Sequence, residues 1–146
     1  MKRELISFEV AGQLFGLDIT AIREIRAWSP VTRVPGVPYY VAGMANLRGS
    51  ILPVIDLAAR LGWDRTEANE RHAIIVVQIG GKSAGLIVDS VSDLVELAEG
   101  ALQRPPSLDG SQESAYIEGL APITDRMVLV LNLAALIGQD VMSSGE

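Results

Sequence analysis

The sequence predicts a mainly β chain folded as two small closed or nearly closed barrels with a few short helices. Three observations point there: an internal duplication, a two-residue alternation of apolar side chains, and glycines spaced as hairpin turns. The duplication is plainest between Tyr40 to Gly62 (YVAGMANLRGSILPVIDLAARLG) and Tyr116 to Gly138 (YIEGLAPITDRMVLVLNLAALIG), which align without a gap and are identical at 8 of 23 positions. Upstream, Leu5 to Ile19 resembles Ile74 to Val88, setting Gly12 against Gly81, Gly16 against Gly85 and Leu17 against Leu86. The offset grows from 69 residues (Leu5 to Ile74) to 76 (Tyr40 to Tyr116), which predicts an insertion in the second copy within Leu97 to Ser114. The repeat segments, 5–62 and 74–138, are small for separate domains. One domain spanning residues 1–146, with a core shared between two subdomains, is expected.

Taken in order, Ile6, Phe8 and Val10 alternate with Ser7 and Glu9, and Phe15, Leu17 and Ile19 alternate with Gly16 and Asp18, giving two half-buried strands joined at Gly12. Thr20 to Trp28 then reads as an amphipathic helix, with Ile22 and Ile25 on one face and Ser29-Pro30 ending it. The loop Pro35-Gly36-Val37-Pro38 follows. Each copy of the strong repeat contributes a strand, a hairpin, a second strand, a capping residue (Asp56 or Asn132), a helix over Leu57 to Leu61 or Leu133 to Ile137, and a stopping glycine. The alternating charges of residues 64–71 form a solvated connector. The second copy opens with strands around the Gly80-Gly81 turn, and a slip of apolar parity between Leu86 and Val91 predicts a bulge or sharp bend near Asp89 to Ser92.

Composition narrows the function. The net charge of −6 disfavours phosphate backbones, and the 5% aromatic content offers few stacking platforms, so nucleic acid is not an expected partner. No run of about 20 apolar residues could span a bilayer, and no signal-peptide pattern opens the chain, so a soluble cytoplasmic protein is expected. Without cysteine there is no thiolate nucleophile, and a single histidine, His72, supplies no zinc cluster. Gly81-Lys82-Ser83 ends like a phosphate-binding loop, yet Val76 stands where that motif needs glycine. Asp56 fits a helix cap, since its repeat partner Asn132 can cap but not ionise. Asp89 and Asp93 are the carboxylates left for an enzymatic alternative. Met44, Met127 and Met142 read as core and tail residues. Little catalytic equipment and many apolar positions point to a binding module without cofactor or metal.

The run Gly43-Met44-Ala45-Asn46-Leu47-Arg48-Gly49-Ser50-Ile51-Leu52-Pro53-Val54-Ile55-Asp56-Leu57 resembles the GxxNLRGxxxPVxDL signature of the CheW-like family of bacterial chemotaxis coupling proteins. The resemblance extends to Phe15-Gly16-Leu17-Asp18-Ile19, Glu24-Ile25-Arg26, residues 85–93 and Asp125-Arg126-Met127. It implies two SH3-like five-stranded barrels and a scaffold in place of a catalyst. Its implied partners are the regulatory domain of the histidine kinase CheA and the helical cytoplasmic tip of chemoreceptors, at membrane-associated arrays. Arg48, Glu24, Ile22 and Gly43 fall in the implied receptor-coupling region, and Arg48 is expected to pair with Glu24. An apolar groove lined by Ile22, Val91 and Leu94 suits a helical tip. The resemblance assigns kinase contact to Ser50, Ile51 and Leu52. It assigns a second, ring-closing contact to Gln103, Ser107 and Leu108, where Leu108 departs from the aromatic residue often found in the family. Two further readings stand beside the adaptor: a small-molecule sensor using the inter-barrel groove, and a coupler in a non-flagellar chemosensory system.

Overall fold

The computed structural model describes residues 3–98, 100–104 and 116–137. Strands β1 (Arg3–Val10) and β2 (Gln13–Asp18) form the first hairpin, turned by Ala11 and Gly12 at φ +52° and +83°. Positive φ at both turn residues matches the right-handed twist of the flanking strands. The geometry recurs at Gly80-Gly81, between β6 (Ala73–Ile79) and β7 (Lys82–Val88), and at Arg48-Gly49, between β4 (Val41–Leu47) and β5 (Ser50–Asp56). Strands β8 (Ser90–Leu97), β9 (Ile117–Ile123) and β10 (Arg126–Leu131) complete the second copy.

The segment read as a helix from Thr20 to Trp28 is instead one 3-10 turn, Ile19–Ala21, followed by strand β3 (Ile22–Ala27). The cause is a bulge. Ile22 pairs with Val77, Glu24 with Val76 and Ile25 with Ile75, so Arg23 is the extra residue and Ile22 and Ile25 share a face. A strand with one inserted residue thus mimics the three-residue spacing of a helix. The same register recurs in β8, where Val91 pairs with Phe8 and Leu94 with Ile6, each residue displaced by 69. Here Ser7 fills the bulge, its hydroxyl accepting from Asp93 N at 3.0 Å and donating to Asp93 O at 3.1 Å.

The strands form two five-stranded sheets, ordered β8-β1-β2-β10-β9 and β3-β6-β7-β5-β4. Each sheet takes strands from both copies. The hairpin β1-β2 of the first copy lies beside β10 of the second through a parallel junction, Val130 opposite Gly16, and β7 of the second lies beside β5 of the first, Val54 opposite Gly85. The bend expected near Asp89 is where the chain leaves one sheet and enters the other. An isolated bridge, Thr32 to Met44, extends the β4 edge, and its counterpart Gln103 to Leu120 extends β9. The offset is 71 at Gln103 and 76 at Leu120, so five of the seven additional residues fall between them, overlapping the predicted insertion.

Each sheet encloses its own apolar cluster: Leu5, Leu97, Val128 and Val130 in one, Leu52, Val54, Ile74 and Val76 in the other. A larger cluster lies between them, drawing Phe8, Phe15 and Leu17 from the first sheet and Ile55, Ile75 and Leu86 from the second. Helices α1 (Leu57–Arg60) and α2 (Leu133–Ile137) contribute Leu57, Ala58, Leu133, Leu136 and Ile137 to it. Helix α1 ends on Gly62 at φ +94°, with Gly62 N–H donating to Ala59 O and Trp63 N–H to Ala58 O, a motif that satisfies the last carbonyls. Gly138, the expected counterpart, lies outside the described residues, as does Met142.

Asp56 caps α1 as expected. Its carboxylate, 4% exposed, accepts from Ala59 N, from Thr66 N at 2.7 Å and from the Thr66 hydroxyl at 2.9 Å. Asn132 accepts from Ala135 N at 3.2 Å in α2. Asp56→Ala is expected to cost about 2 kcal/mol, combining a lost cap with lost bonds to a charged acceptor, and Asp56→Asn about half as much. Urea denaturation of the two variants checks the order.

Arg60 joins the copies where their symmetry would otherwise place a leucine, Leu136. Its guanidinium lies 4.1 Å from the centroid of the Tyr40 ring and 4.8 Å from that of Tyr116, the repeat-related pair. It also donates to the carbonyls of Leu136 and Ala135 at the end of α2. At the surface, Arg3 holds Asp18 through Nε at 3.1 Å and Nη2 at 2.8 Å, and Glu118 through Nη1 at 2.8 Å. The bonds to Asp18, then to Glu118, raise the Arg3 guanidinium further above its already high pKa.

Candidate functional site: a hairpin and two edge strands

The β4-β5 hairpin exists because Arg48 and Gly49 occupy the left-handed turn positions and Asn46 Oδ1 accepts from Gly49 N at 3.0 Å. This turn projects Arg48, whose side chain is 77% exposed. Its Nη2 lies 3.8 Å from Glu24 Oε1 on the edge strand β3, so the expected pairing is present, as a single long contact without the two-pronged fork. A pair this open to water contributes at most about 1 kcal/mol. Its value is to set the hairpin tip beside β3, and it leaves most of the guanidinium free to meet a partner.

Beyond the turn, Ser50 is exposed and Ile51 is 73% exposed, the most exposed of the large apolar side chains among the described residues. Leu52 points the other way. At 4% exposure it packs with Leu47, Val54, Ile74, Val76 and Ile87 inside its own sheet, so strand alternation turns its side chain away from the surface that Ser50 and Ile51 present. Gly43 is buried too. Met44 N–H donates to Thr32 O at 2.7 Å and Thr32 N–H to Met44 O at 2.9 Å, drawing the 32 segment over Gly43. Gly43 therefore shapes the surface without presenting a side chain to it.

Ile22 and Val91 are half-buried and pack against the shared central cluster, while Leu94 is 55% exposed. The register explains this. In each edge strand the bulge puts one apolar residue against the shared core (Ile22 or Val91) and the next on the same face out in solvent (Ile25, 43% exposed, or Leu94). Ile25 belongs with this set: its spacing from Ile22 reads as a helix face, and its repeat relation to Leu94 is the signal that identifies it. Met127, expected in the core, is 48% exposed and is the repeat mate of Ile51 on the β9-β10 hairpin. Gln103 is exposed in side chain and bridged to Leu120 through its backbone, on the sheet opposite to Ser50 and Ile51. Ser107 and Leu108 lie outside the described residues.

Of the two carboxylates weighed for catalysis, Asp89 is engaged in the fold and Asp93 is exposed. Asp89 Oδ2 accepts from Ala11 N at 2.9 Å, and its Oδ1 lies 3.6 Å from Nε2 of His72, whose side chain is 15% exposed. Asp93 is tied through its backbone to Ser7. Gly81-Lys82-Ser83 runs from the hairpin turn into β7 and opens no helix. Among the described residues no group of three or more His, Cys, Asp or Glu side chains could hold a metal ion, and no helix is long and apolar enough to cross a membrane.

Comparison with known proteins accounts for this arrangement. The family model described as CheW-like domain matches residues 4–141. The chain is 42% identical over 137 residues to the probable chemotaxis protein CheW of Rhizobium etli, covering 94% of this chain and 88% of that one. It is 42% identical over 131 residues to the chemotaxis protein CheW of Rhizobium meliloti, covering 90% and 84%. The crystal structure of the scaffolding protein TtCheW from Thermoanaerobacter tengcongensis superposes with a TM-score of 0.84 at 34% identity, over 94% of this chain and 89% of that one. With the duplicated sheets and the NLRG hairpin in place along the same span, the chain belongs to the CheW-like domain family.

Proposed function

We propose that this chain is a non-catalytic adaptor in chemotaxis, joining the cytoplasmic tips of chemoreceptors to the regulatory domain of a CheA kinase at membrane-associated arrays from the cytoplasmic side. The observation that carries this reading is the β4-β5 hairpin, which presents Arg48, Ser50 and the solvent-exposed Ile51 on a rigid, core-anchored strand pair. An apolar side chain held outward on such a strand is the kind of anchor a partner sheet can cover. The receptor tip, a helical hairpin, fits the step from Ile22 and Val91 to Ile25 and Leu94, with Arg48 and Glu24 at its margin. Gln103 stands on the opposite sheet, where a second kinase contact would close a ring.

Calorimetric titration with the regulatory domain of the CheA from the same cell, and co-sedimentation with receptor-containing membranes, test the reading. Ile51→Asp is expected to weaken kinase binding by about 2 kcal/mol, the scale of an interface anchor, while leaving thermal stability within about 0.5 kcal/mol of the parent, as for other surface changes. Arg48→Ala is expected to lower receptor co-sedimentation and leave kinase affinity unchanged. Wild-type binding by both variants, or no binding of any CheA of that genome by the parent, removes the adaptor reading.

A further inference from the structure

Between the proline-rich loop and the charged connector lies an open cleft of about 430 Å³, within the range of small-molecule sites. It opens onto the apolar cluster of the β4-β5 sheet, sharing Trp28, Val31, Ala42, Ala68 and Ile87 with it. The apolar part of its lining comes from Val31, Val34, Val37 and Ala42, with Trp28 and Tyr39. Its charged groups are Arg33, Arg65 and Asp56. Asp56 is no counter-ion for a ligand, because both of its oxygens already accept from Thr66 and one from Ala59 N. The two arginines are exposed at the rim. Arg65 is fixed there, stacked 3.9 Å over the Tyr39 ring with Nη2 donating to Tyr39 O at 3.0 Å, which uses one of the five N–H donors of a guanidinium.

We propose that this cleft binds a small amphipathic carboxylate, its apolar body against the valines and its carboxylate held by Arg33 and Arg65. The charge pattern decides the class. A cation would meet two guanidiniums and a carboxylate whose lone pairs are occupied, and a neutral apolar molecule would leave the arginines without use. A carboxylate accepts from two planar donor forks in the geometry guanidinium favours. Such a ligand would tie the proline loop to the connector, since its lining comes from both. The inference stands apart from the adaptor reading and does not depend on it.

The test is an amide NMR titration of the ¹⁵N-labelled full chain with octanoate and phenylacetate, against 1-octanol and phenethylamine. Either acid is expected to give saturable shifts centred on Val34, Val37, Thr66 and Ala68, with affinity about tenfold above the alcohol and amine, the scale of one charge-assisted bond. The double variant Arg33→Gln, Arg65→Gln is expected to lose that preference. Arg33→Gln alone, which keeps the Arg65 stack on Tyr39, is expected to reduce it. Equal affinity for acid, alcohol and amine overturns the proposal. So does an undiminished preference for the acids in the double variant, or an absence of shifts in this cleft at about 10 mM acid, a concentration that would reveal even millimolar binding.

Discussion

Replacing Arg60 by alanine is expected to destabilise the protein by about 3 kcal/mol, from two cation–π contacts of about 0.5–1 kcal/mol each and hydrogen bonds to carbonyls at a helix end. For a chain of 146 residues this lowers Tm by about 10 °C. The expectation is large because Arg60 joins four groups at once: the Tyr40 and Tyr116 rings and the Ala135 and Leu136 carbonyls. Three of those belong to the second copy, so its loss loosens the contact between halves. Arg60→Lys keeps the charge without the planar fork and is expected to recover less than half of the loss. A thermal and urea denaturation series on the parent and both variants checks this; a loss under about 1 kcal/mol in Arg60→Ala would show that the latch carries little.

Gly43→Ala is expected to cost a further large amount, about 3 kcal/mol, at the upper end for overpacking a close contact. An added Cβ would overlap the Thr32 carbonyl oxygen and stand 2.9 Å from both Thr32 C and Val31 Cγ2. Backbone cannot rotate away as a side chain can, so the bridge between Thr32 and Met44 must open or shift. Its repeat mate gives an internal comparison. At Gly119 the Cβ would meet Leu102 Cγ at 2.6 Å and Gln103 O at 2.9 Å, and the leucine end can yield in part. Gly119→Ala is therefore expected to cost less, about 1–2 kcal/mol. Equilibrium unfolding of the two variants separates a shared structural need from a contact role: if Gly43→Ala leaves stability unchanged but abolishes receptor co-sedimentation, Gly43 is itself a docking point.

The duplication, the hairpin glycines, both helix caps and the family were legible because each rests on local chemistry or a long run of matched residues. Pairing across the copies was not. Strand alternation states which face is apolar but not which strand lies alongside, and the parallel junctions of Gly16 with Val130 and of Gly85 with Val54 join residues far apart in sequence. The β3 bulge produced a helix-like spacing of Ile22 and Ile25. Leu52 could not be turned inward by reading alone, since Ile51 to Ile55 is apolar on both faces. One face meets the sheet's own cluster through Leu52 and Val54, the other the shared cluster through Ile55. Met127 was hidden for the same reason, in a strand where Val128 and Val130 are buried beside it.

The reciprocal exchange of strands sets the order in which the chain can acquire its structure. Strand β2 finds its parallel neighbour only when Leu129 arrives opposite Phe15, a separation of 114 residues. During synthesis at about 5–20 residues per second, the β1-β2 hairpin therefore waits about 6–23 s for that neighbour. An isolated two-stranded hairpin is marginal in water, and its apolar residues Phe8, Phe15 and Leu17 gain cover piecemeal, from Ile55, Ile75 and Leu86 of the other sheet and from β8 before β10 arrives. Long-range pairing of this kind also slows folding after release. The N-terminal hairpin thus depends on the middle of the chain for its first cover and on the last strand only to close its sheet.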